Sequence, residues 1–294
     1  MAPHANSELT GRNAIITGAS QGLGKEIARA YLAAGASVLL CARSADDLER
    51  AQSELQHDLA PGRVLSQTAD VSKPEEAEHL VEAALQQWNH VDILVNNAGV
   101  YGPLGPSDEV DWLEWTRAIE TNLYGSVLPA RALLPHFKKR RYGKIVQISG
   151  GGATNPLPRI TAYAASKAAV IRFAESLAEE VREFHIDVNA IAPGALNTRM
   201  MDQLIAAGPE AVGESFYSRM ERIKSEGGTS LERGAALAVF LGSPASDGLT
   251  GRLISAAWDS WEKLPDRINE IAGTDIYTLR RVTAADRGKD WDKP

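Results

Sequence analysis

The sequence predicts an α/β fold, a doubly wound parallel sheet with helices on both faces. Three observations carry this. Short apolar runs such as Asn13-Ala-Ile-Ile-Thr17 and Val38-Leu-Leu-Cys41 recur down the chain as buried strands. Stretches of helical length separate them, and strands alternating with helices imply a parallel sheet. The residues suited to chemistry, in the Gly18 loop and at Arg43, Asp70, Asn97 and Ser149, fall where those runs end. Ligands of parallel sheets gather at the C-terminal ends of their strands.

The first strand, 13–17, runs into Gly18-Ala-Ser20-Gln21-Gly22-Leu23-Gly24, then a helix over 25–34 that stops at Gly35. Three glycines between strand and helix let the backbone approach a pyrophosphate at the helix N-terminus. A tight turn is the alternative, and the strand–loop–helix context favours the nucleotide. Residues 37–42 are the second strand. An enzyme that prefers NAD usually sets an acidic side chain near this end to hold the ribose 2′-hydroxyl. Here Ala42 is followed by Arg43, which suits a 2′-phosphate. The reading therefore leans to NADP(H), and NAD(H) stays open if Arg43 is only a solvated surface residue.

Residues 47–59, ending at Leu59, read as a helix, with a turn at Pro61-Gly62. Residues 64–69 form a third strand ending at Asp70-Val71, and Pro74 starts a helix to about Trp88. Asp92-Ile-Leu-Val-Asn96 is a fourth strand that enters the polar turn Asn97-Ala98-Gly99. Residues 111–136 follow as a helix. Inside it Asn122 is a poor interior residue unless its side chain has a task, and Pro129 should kink or interrupt it. A fifth strand over 144–149 ends at Ser149, a helix runs from Tyr163 to about Phe184, and a sixth strand over 186–191 ends at Pro193-Gly194. Residues 196–228 are a polar, methionine-bearing insertion and a candidate lid. A helix over 234–241 and a seventh strand over 253–257 complete the pattern.

Tyr163-Ala-Ala-Ser-Lys167 organises the chemistry. Residues four apart share a helix face, so the phenol and the ammonium point at one place. A phenol titrates near pH ~10; a nearby cation favours the phenolate and makes tyrosine a usable acid or base. Alone such a pair is more often a helix surface with a snorkelling lysine. Its company, above all Ser149 at a strand end, decides for chemistry.

Composition sets outer limits. A net charge of -7 argues against a nucleic-acid partner, and the one basic cluster, Lys138-Lys139-Arg140-Arg141, ends a helical segment where it complements the dipole. The one cysteine, Cys41, excludes an intramolecular disulfide framework and sits in an apolar run as a small hydrophobe. The six histidines show no metal-ligand spacing, so no metal is expected. No apolar run is long enough to span a membrane, and residues 1–12 lack a signal pattern. A cytoplasmic protein without a membrane partner is the expectation.

Taken together, Thr17-Gly-Ala-Ser-Gln-Gly-Leu-Gly24, Asp70-Val71, Asn96-Asn-Ala-Gly99, Asn122, Ser149, Tyr163-x-x-x-Lys167 and Pro193-Gly194 with Thr198 resemble the short-chain dehydrogenase/reductase family in its compact single-domain branch. The resemblance implies a Rossmann-like, seven-stranded parallel sheet over residues 9–257, and a nicotinamide cofactor. On it, Tyr163 exchanges a proton with the substrate oxygen, Ser149 hydrogen-bonds that oxygen, and Lys167 lowers the tyrosine pKa and holds the nicotinamide ribose. Asn122 holds a water that links Lys167 to solvent. The resemblance further assigns the cofactor Gly18, Ser20, Gln21, Gly22, Leu23, Gly24, Arg43, Asp70, Val71, Asn97, Ala98, Gly99, Pro193, Gly194, Leu196 and Thr198. It also implies a homo-oligomer.

Family members commonly end soon after the seventh strand, whereas this chain continues to Pro294. Pro265 and Gly273 bracket a short helix. Trp258, Trp261 and Tyr277 give the tail apolar area to bury, so residues 258–294 are expected to pack on the domain or on a partner subunit; a tail that shapes the substrate pocket is the sharper alternative. The function expected is an oxidoreductase interconverting a ketone and a secondary alcohol. The small polar loop 150–159 suits a hydroxylated, sugar-like substrate. The rivals are an NAD enzyme of the same family and a non-catalytic dinucleotide-binding regulator, which would be expected to lose Tyr163 or Lys167.

Overall fold

The computed structural model describes residues 8–57 and 62–291. Leu59, Pro61 and Pro294 lie outside the described residues. The strands β1 (Asn13–Thr17), β2 (Ser37–Ala42), β3 (Val64–Thr68), β4 (Ile93–Asn96), β5 (Gly143–Ile148), β6 (Ile186–Ala192) and β7 (Leu253–Ser255) form one parallel sheet in the order β3-β2-β1-β4-β5-β6-β7. The chain leaves β3 at one edge and returns to pair β4 with the far side of β1. That reversal opens a crevice above the C-terminal ends of β1 and β4.

The helices are α1 (Gly22–Ala33), α2 (Ala45–Gln56), α3 (Pro74–Trp88), α4 (Trp112–Ile119), α5 (Gly125–Arg140), α6 (Thr161–Val181), α7 (Arg199–Val212), α8 (Glu214–Ser225), α9 (Leu231–Gly242) and α10 (Ile268–Ile271). Successive strand residues face opposite ways. Ile16, Val95, Val146 and Ile191 join a core with α1 and α9; Ile15, Leu94, Ile145 and Val188 join another with α3, α5 and α6. Both faces being covered, the strands read as continuous apolar runs. The helix ends follow the sequence signals. Ser44 caps α2 through the Asp47 amide at 3.3 Å, Pro74 opens α3, and Lys138, Lys139 and Arg140 fill the last turn of α5.

One expectation is corrected. Residues 111–136 do not form one helix broken at Pro129: α5 runs through Pro129 and Pro135, and the irregularity lies earlier, in a π-helical turn over Glu120–Tyr124. The Gly125 amide reaches back five residues to the Glu120 carbonyl, which widens the turn around Asn122.

At the N-terminal edge of the sheet buried charges are paired. Asp92, 1 % exposed, accepts from Arg12 at 3.3 Å and Arg140 at 3.1 Å. Lys144, equally buried, lies between Asp187 at 2.6 Å and Asp247 at 2.7 Å. Taking a charge out of water is costly unless it is paired, and at this edge the pairing is made.

The 196–228 insertion is helical. α7 is broken at Gly208 (φ 78°, ψ 170°), just before Pro209, and α7 and α8 bury Met201, Leu204, Val212 and Met220 in a cluster of their own with Ile160. Beyond β7 the chain stays on the body. Leu264 and Ile271 enter the main core, and Trp261 stacks on Phe240 with ring centroids 6.0 Å apart. Trp258, expected to pack with it, is 87 % exposed on this chain.

Candidate active site

The glycine loop is shaped by steric necessity. Gly18 and Gly22 hold φ of 62° and 56°, a region that favours glycine. A Cβ on Gly24 would fall 2.4 Å from both the Asn97 Nδ2 and the Gly18 carbonyl. Asn97 explains that crowding: its Nδ2 donates to the Thr17 and Gly18 carbonyls, each at 3.0 Å. The amides of Asn97 and Ala98 in turn donate to Thr17 Oγ1 at 3.0 and 3.1 Å. The turn after β4 is thereby stapled to the turn after β1, with Ser20 half-buried and Gln21 exposed at the mouth. Leu23 points into the core, so only its backbone can face a ligand.

The neighbouring strand ends supply the rest. Arg43, after β2, is exposed and has no ion pair among the described residues. Asp70, after β3, accepts from the Ser72 amide at 3.0 Å and hydroxyl at 2.7 Å through one oxygen, while Val71 is buried against Gly125. After β6, Pro193 is buried, Gly194 (φ 88°) lies against Thr229, and Leu196 bridges to Thr229. A Cβ on Gly22 would stand 3.6 Å from the Thr198 methyl, which brings the β6 end over the glycine loop. A dinucleotide fits this arrangement: a glycine-rich cradle for a pyrophosphate at the start of α1 and, one strand away, a guanidinium that has no ion pair among the described residues.

Beside it sits the reactive cluster. Lys167 is 4 % exposed; its Nζ donates to the Ile148 carbonyl at 2.8 Å and lies 5.8 Å from the centroid of the Tyr163 ring. Burial lowers its pKa to about 8. Ser149 is buried at the end of β5, its Oγ 3.4 Å from the Lys167 carbonyl. The loop after it must run close, because a Cβ on Gly150 would stand 2.1 Å from the Tyr163 hydroxyl. Asn122 is fully buried. Its Oδ1 accepts from the Val100 amide at 2.8 Å, and its Nδ2 donates to the Val100 carbonyl at 2.9 Å and to Ser166 Oγ at 2.8 Å. Ser166 passes that restraint on to the Tyr163 carbonyl at 2.8 Å. A Cβ on Gly99 would be 3.3 Å from both Asn122 Oδ1 and Lys167 Nζ, so the two converge there.

The expectation that Lys167 depresses the Tyr163 pKa is corrected for this geometry. Burial dominates and pushes the phenol well above its ordinary value, with Tyr101 adding to the rise. The ammonium spends its short hydrogen bond on Ile148 rather than on the phenol. Tyr101 itself was not singled out in the sequence. Its ring lies 4.9 Å from that of Tyr163 at 60°, and burial raises its pKa to about 12. An aromatic two residues past Gly99 in an irregular turn carries no periodic signal.

With the geometry in hand, the comparisons identify the class. A family model described as short chain dehydrogenase matches residues 12–207. The chain is 34 % identical over 259 residues to the 7alpha-hydroxysteroid dehydrogenase of Escherichia coli (strain K12), covering 88 % of this chain and 98 % of the relative. Among solved structures, a variant actinorhodin polyketide ketoreductase with NADPH superposes with a TM-score of 0.76 at 29 % identity, over 83 % of this chain and 95 % of that one. The 3-ketoacyl-(acyl-carrier-protein) reductase from Brucella melitensis complexed with NADH gives 0.73 at 30 % identity, over 84 % and 97 %. The chain belongs to the short-chain dehydrogenase/reductase family and is an NAD(P)-dependent oxidoreductase acting on CH–OH groups and their ketones. No helix among the described residues is long and apolar enough to cross a membrane.

Proposed function

We propose that the enzyme interconverts a ketone and a secondary alcohol with NADP(H) in preference to NAD(H), using Tyr163, Ser149, Lys167 and Asn122. The convergence of Ser149, Tyr163 and Lys167 beside the glycine loop is the observation that carries this. When bound, the nicotinamide supplies or accepts the hydride. Tyr163 holds the proton that passes to or from the substrate oxygen, and burial, which favours the neutral phenol, suits it to the donor role. Ser149 donates to the same oxygen and polarises it. Lys167, whose lowered pKa lies within reach of neutral pH, would hold the ribose hydroxyls and exchange protons with solvent through a water held near Asn122. The free guanidinium of Arg43 supports the NADP(H) preference. Residues 9–257 serve as the catalytic domain and 258–294 as a C-terminal extension, whose Leu264, Ile271 and Leu279 pack on that domain. A cytoplasmic homo-oligomer is the assembly proposed, to be checked by light scattering and by fractionation.

For the substrate, exposed Thr154 and Asn155 in the loop after Ser149 support a hydroxylated, sugar-like molecule. A second reading, a lipophilic ring system, is favoured by the apolar flank of Tyr163, where Tyr101, Leu104 and Leu157 pack with Ile160 and Met201. One experiment tests both: NADPH and NADH are titrated, then a panel of polyols, keto-sugars, hydroxysteroids and cyclic ketones is followed at the nicotinamide absorbance. Turnover with NADPH is expected. A preference for NADH overturns the cofactor assignment, and no turnover on any compound overturns the substrate readings. The polyol and steroid arms separate the two.

A further inference from the structure

The segment after β7 does more than cover apolar surface. Leu279 packs against a small cluster formed by Ala153, Ile171 and Ala190. Ala153 is four residues past Ser149, in the loop held under Tyr163, and its amide bonds to the Gly150 carbonyl at 3.0 Å. Ile171 is one helical turn past Lys167, on the same face of α6. One side chain of the tail therefore packs against a cluster drawn from both arms of the reactive site.

Its backbone is held by charged side chains of α6 and by the residues at the start of β7. Glu175 buries a carboxylate on α6, an unfavourable position unless donors meet it. One oxygen accepts the Leu279 amide at 2.5 Å, and Arg172 lies 2.8 Å from the other. Arg172 also donates to the Leu279 carbonyl. Upstream, the Leu253 amide on β7 donates to the Tyr277 carbonyl at 2.7 Å. Arg252, 7 % exposed, gathers three tail carbonyls: Thr274 at 2.8 Å, Ile276 at 2.7 Å and Ile271 at 3.0 Å. Anchors this specific set where Leu279 sits, beyond what apolar burial alone requires.

We propose that Leu279 is a positioning residue: the C-terminal segment straps the 150–154 loop and α6 together and so fixes Ser149 relative to Tyr163. The proposal rests on the reading of Ser149 and Tyr163 as the reacting pair. Small displacements at such a pair lower turnover out of proportion to their effect on stability.

The test compares Leu279→Ala with the bulk-conserving Leu279→Met. Hydrogen exchange over residues 150–160 should accelerate by about tenfold or more in the alanine variant and return to the wild-type rate in the methionine variant. With NADPH and whichever panel compound wild type reduces best, kcat should fall by roughly tenfold in the alanine variant while the KM for NADPH stays within about twofold. Wild-type exchange and kcat in a folded Leu279→Ala protein overturn the proposal, as does a variant that raises KM for NADPH with kcat kept. If Leu279→Ala does not fold, Arg172→Ala, which removes an exposed side chain from the strap's carbonyl, gives the same reading: faster exchange in the loop supports the proposal and unchanged exchange overturns it. If wild type turns over none of the panel, the functional reading fails while the exchange measurement still judges the strap.

Discussion

The two ends of the sheet hold two buried lysines, and the contrast between them separates scaffold from chemistry. Lys144, where β5 begins, is 1 % exposed and lies between the carboxylates of Asp187 and Asp247. Lys167, beside the end of the same strand, is 4 % exposed and has no carboxylate partner among the described residues; its hydrogen bond goes to a backbone carbonyl. Burial with compensation makes an ion pair. Burial without it lowers the lysine pKa to about 8 and leaves a group ready to gain or lose a proton. Asp92 with Arg12 and Arg140, against Arg43, which has no ion pair among the described residues, repeats the contrast. The N-terminal edge satisfies its charges internally, and the proposed function has Lys167 and Arg43 at the C-terminal edge meet theirs on a ligand.

The largest way to break the comparison is to disturb the C-terminal edge alone. Tyr163→Phe should cut turnover by at least about a hundredfold while cofactor binding is retained, because only the proton-carrying oxygen is lost. Gly150→Ala should approach the same loss by displacing the ring, since the added methyl would stand 2.1 Å from the Tyr163 hydroxyl. Steady-state kinetics with fluorescence titration of NADPH checks both; wild-type turnover in Tyr163→Phe removes Tyr163 from the proposed role, and wild-type turnover in Gly150→Ala shows that the loop accommodates the methyl.

Next in size is Arg43→Ala. Removing the guanidinium proposed to meet a 2′-phosphate should weaken NADPH by about ten- to a hundredfold, with little change for NADH. Equal losses would place Arg43 outside the cofactor's reach.

The last effect is on stability and is confined to a window of pH. A lysine whose folded pKa is depressed binds fewer protons folded than unfolded between the two values. Stability therefore rises with pH through that window, here from about 8 to the ordinary 10.5, and the contribution is unfavourable at lower pH. Chemical denaturation between pH 8 and 10 should show this rise, on the order of 3 kcal/mol at its fullest, and Lys167→Met should flatten it. The same slope in wild type and variant would show that the lysine is not the titrating group.

The sequence makes much of this legible because the informative signals are local. The glycine loop, the runs that became β1 to β6 and the Tyr163–Lys167 spacing each lie within a few residues, and local geometry follows from local chemistry. The π-helical turn at Asn122 was not legible: Pro129 is a strong local signal, yet the turn that widens lies upstream, around a side chain held by Val100 and Ser166 from other elements. Tyr101 and Leu279 were missed for the same reason, since each acts through a neighbour distant in sequence. The neighbouring lysine predicts a lowered Tyr163 pKa, and burial, which only the fold reveals, has the larger influence.

The most direct test sets the two lysines side by side. Lys144→Met strands the buried Asp187 carboxylate and should cost about 3 kcal/mol of stability, while turnover per folded molecule stays near wild type. Lys167→Met removes an uncompensated buried cation and should keep or raise the melting temperature at pH 7, with turnover and cofactor affinity both lost. Melting temperature and kcat measured on both variants under one buffer decide it. A Lys167→Met enzyme that melts far below wild type but still turns over, or a Lys144→Met enzyme that folds fully and loses its kcat, would contradict the division between the two ends.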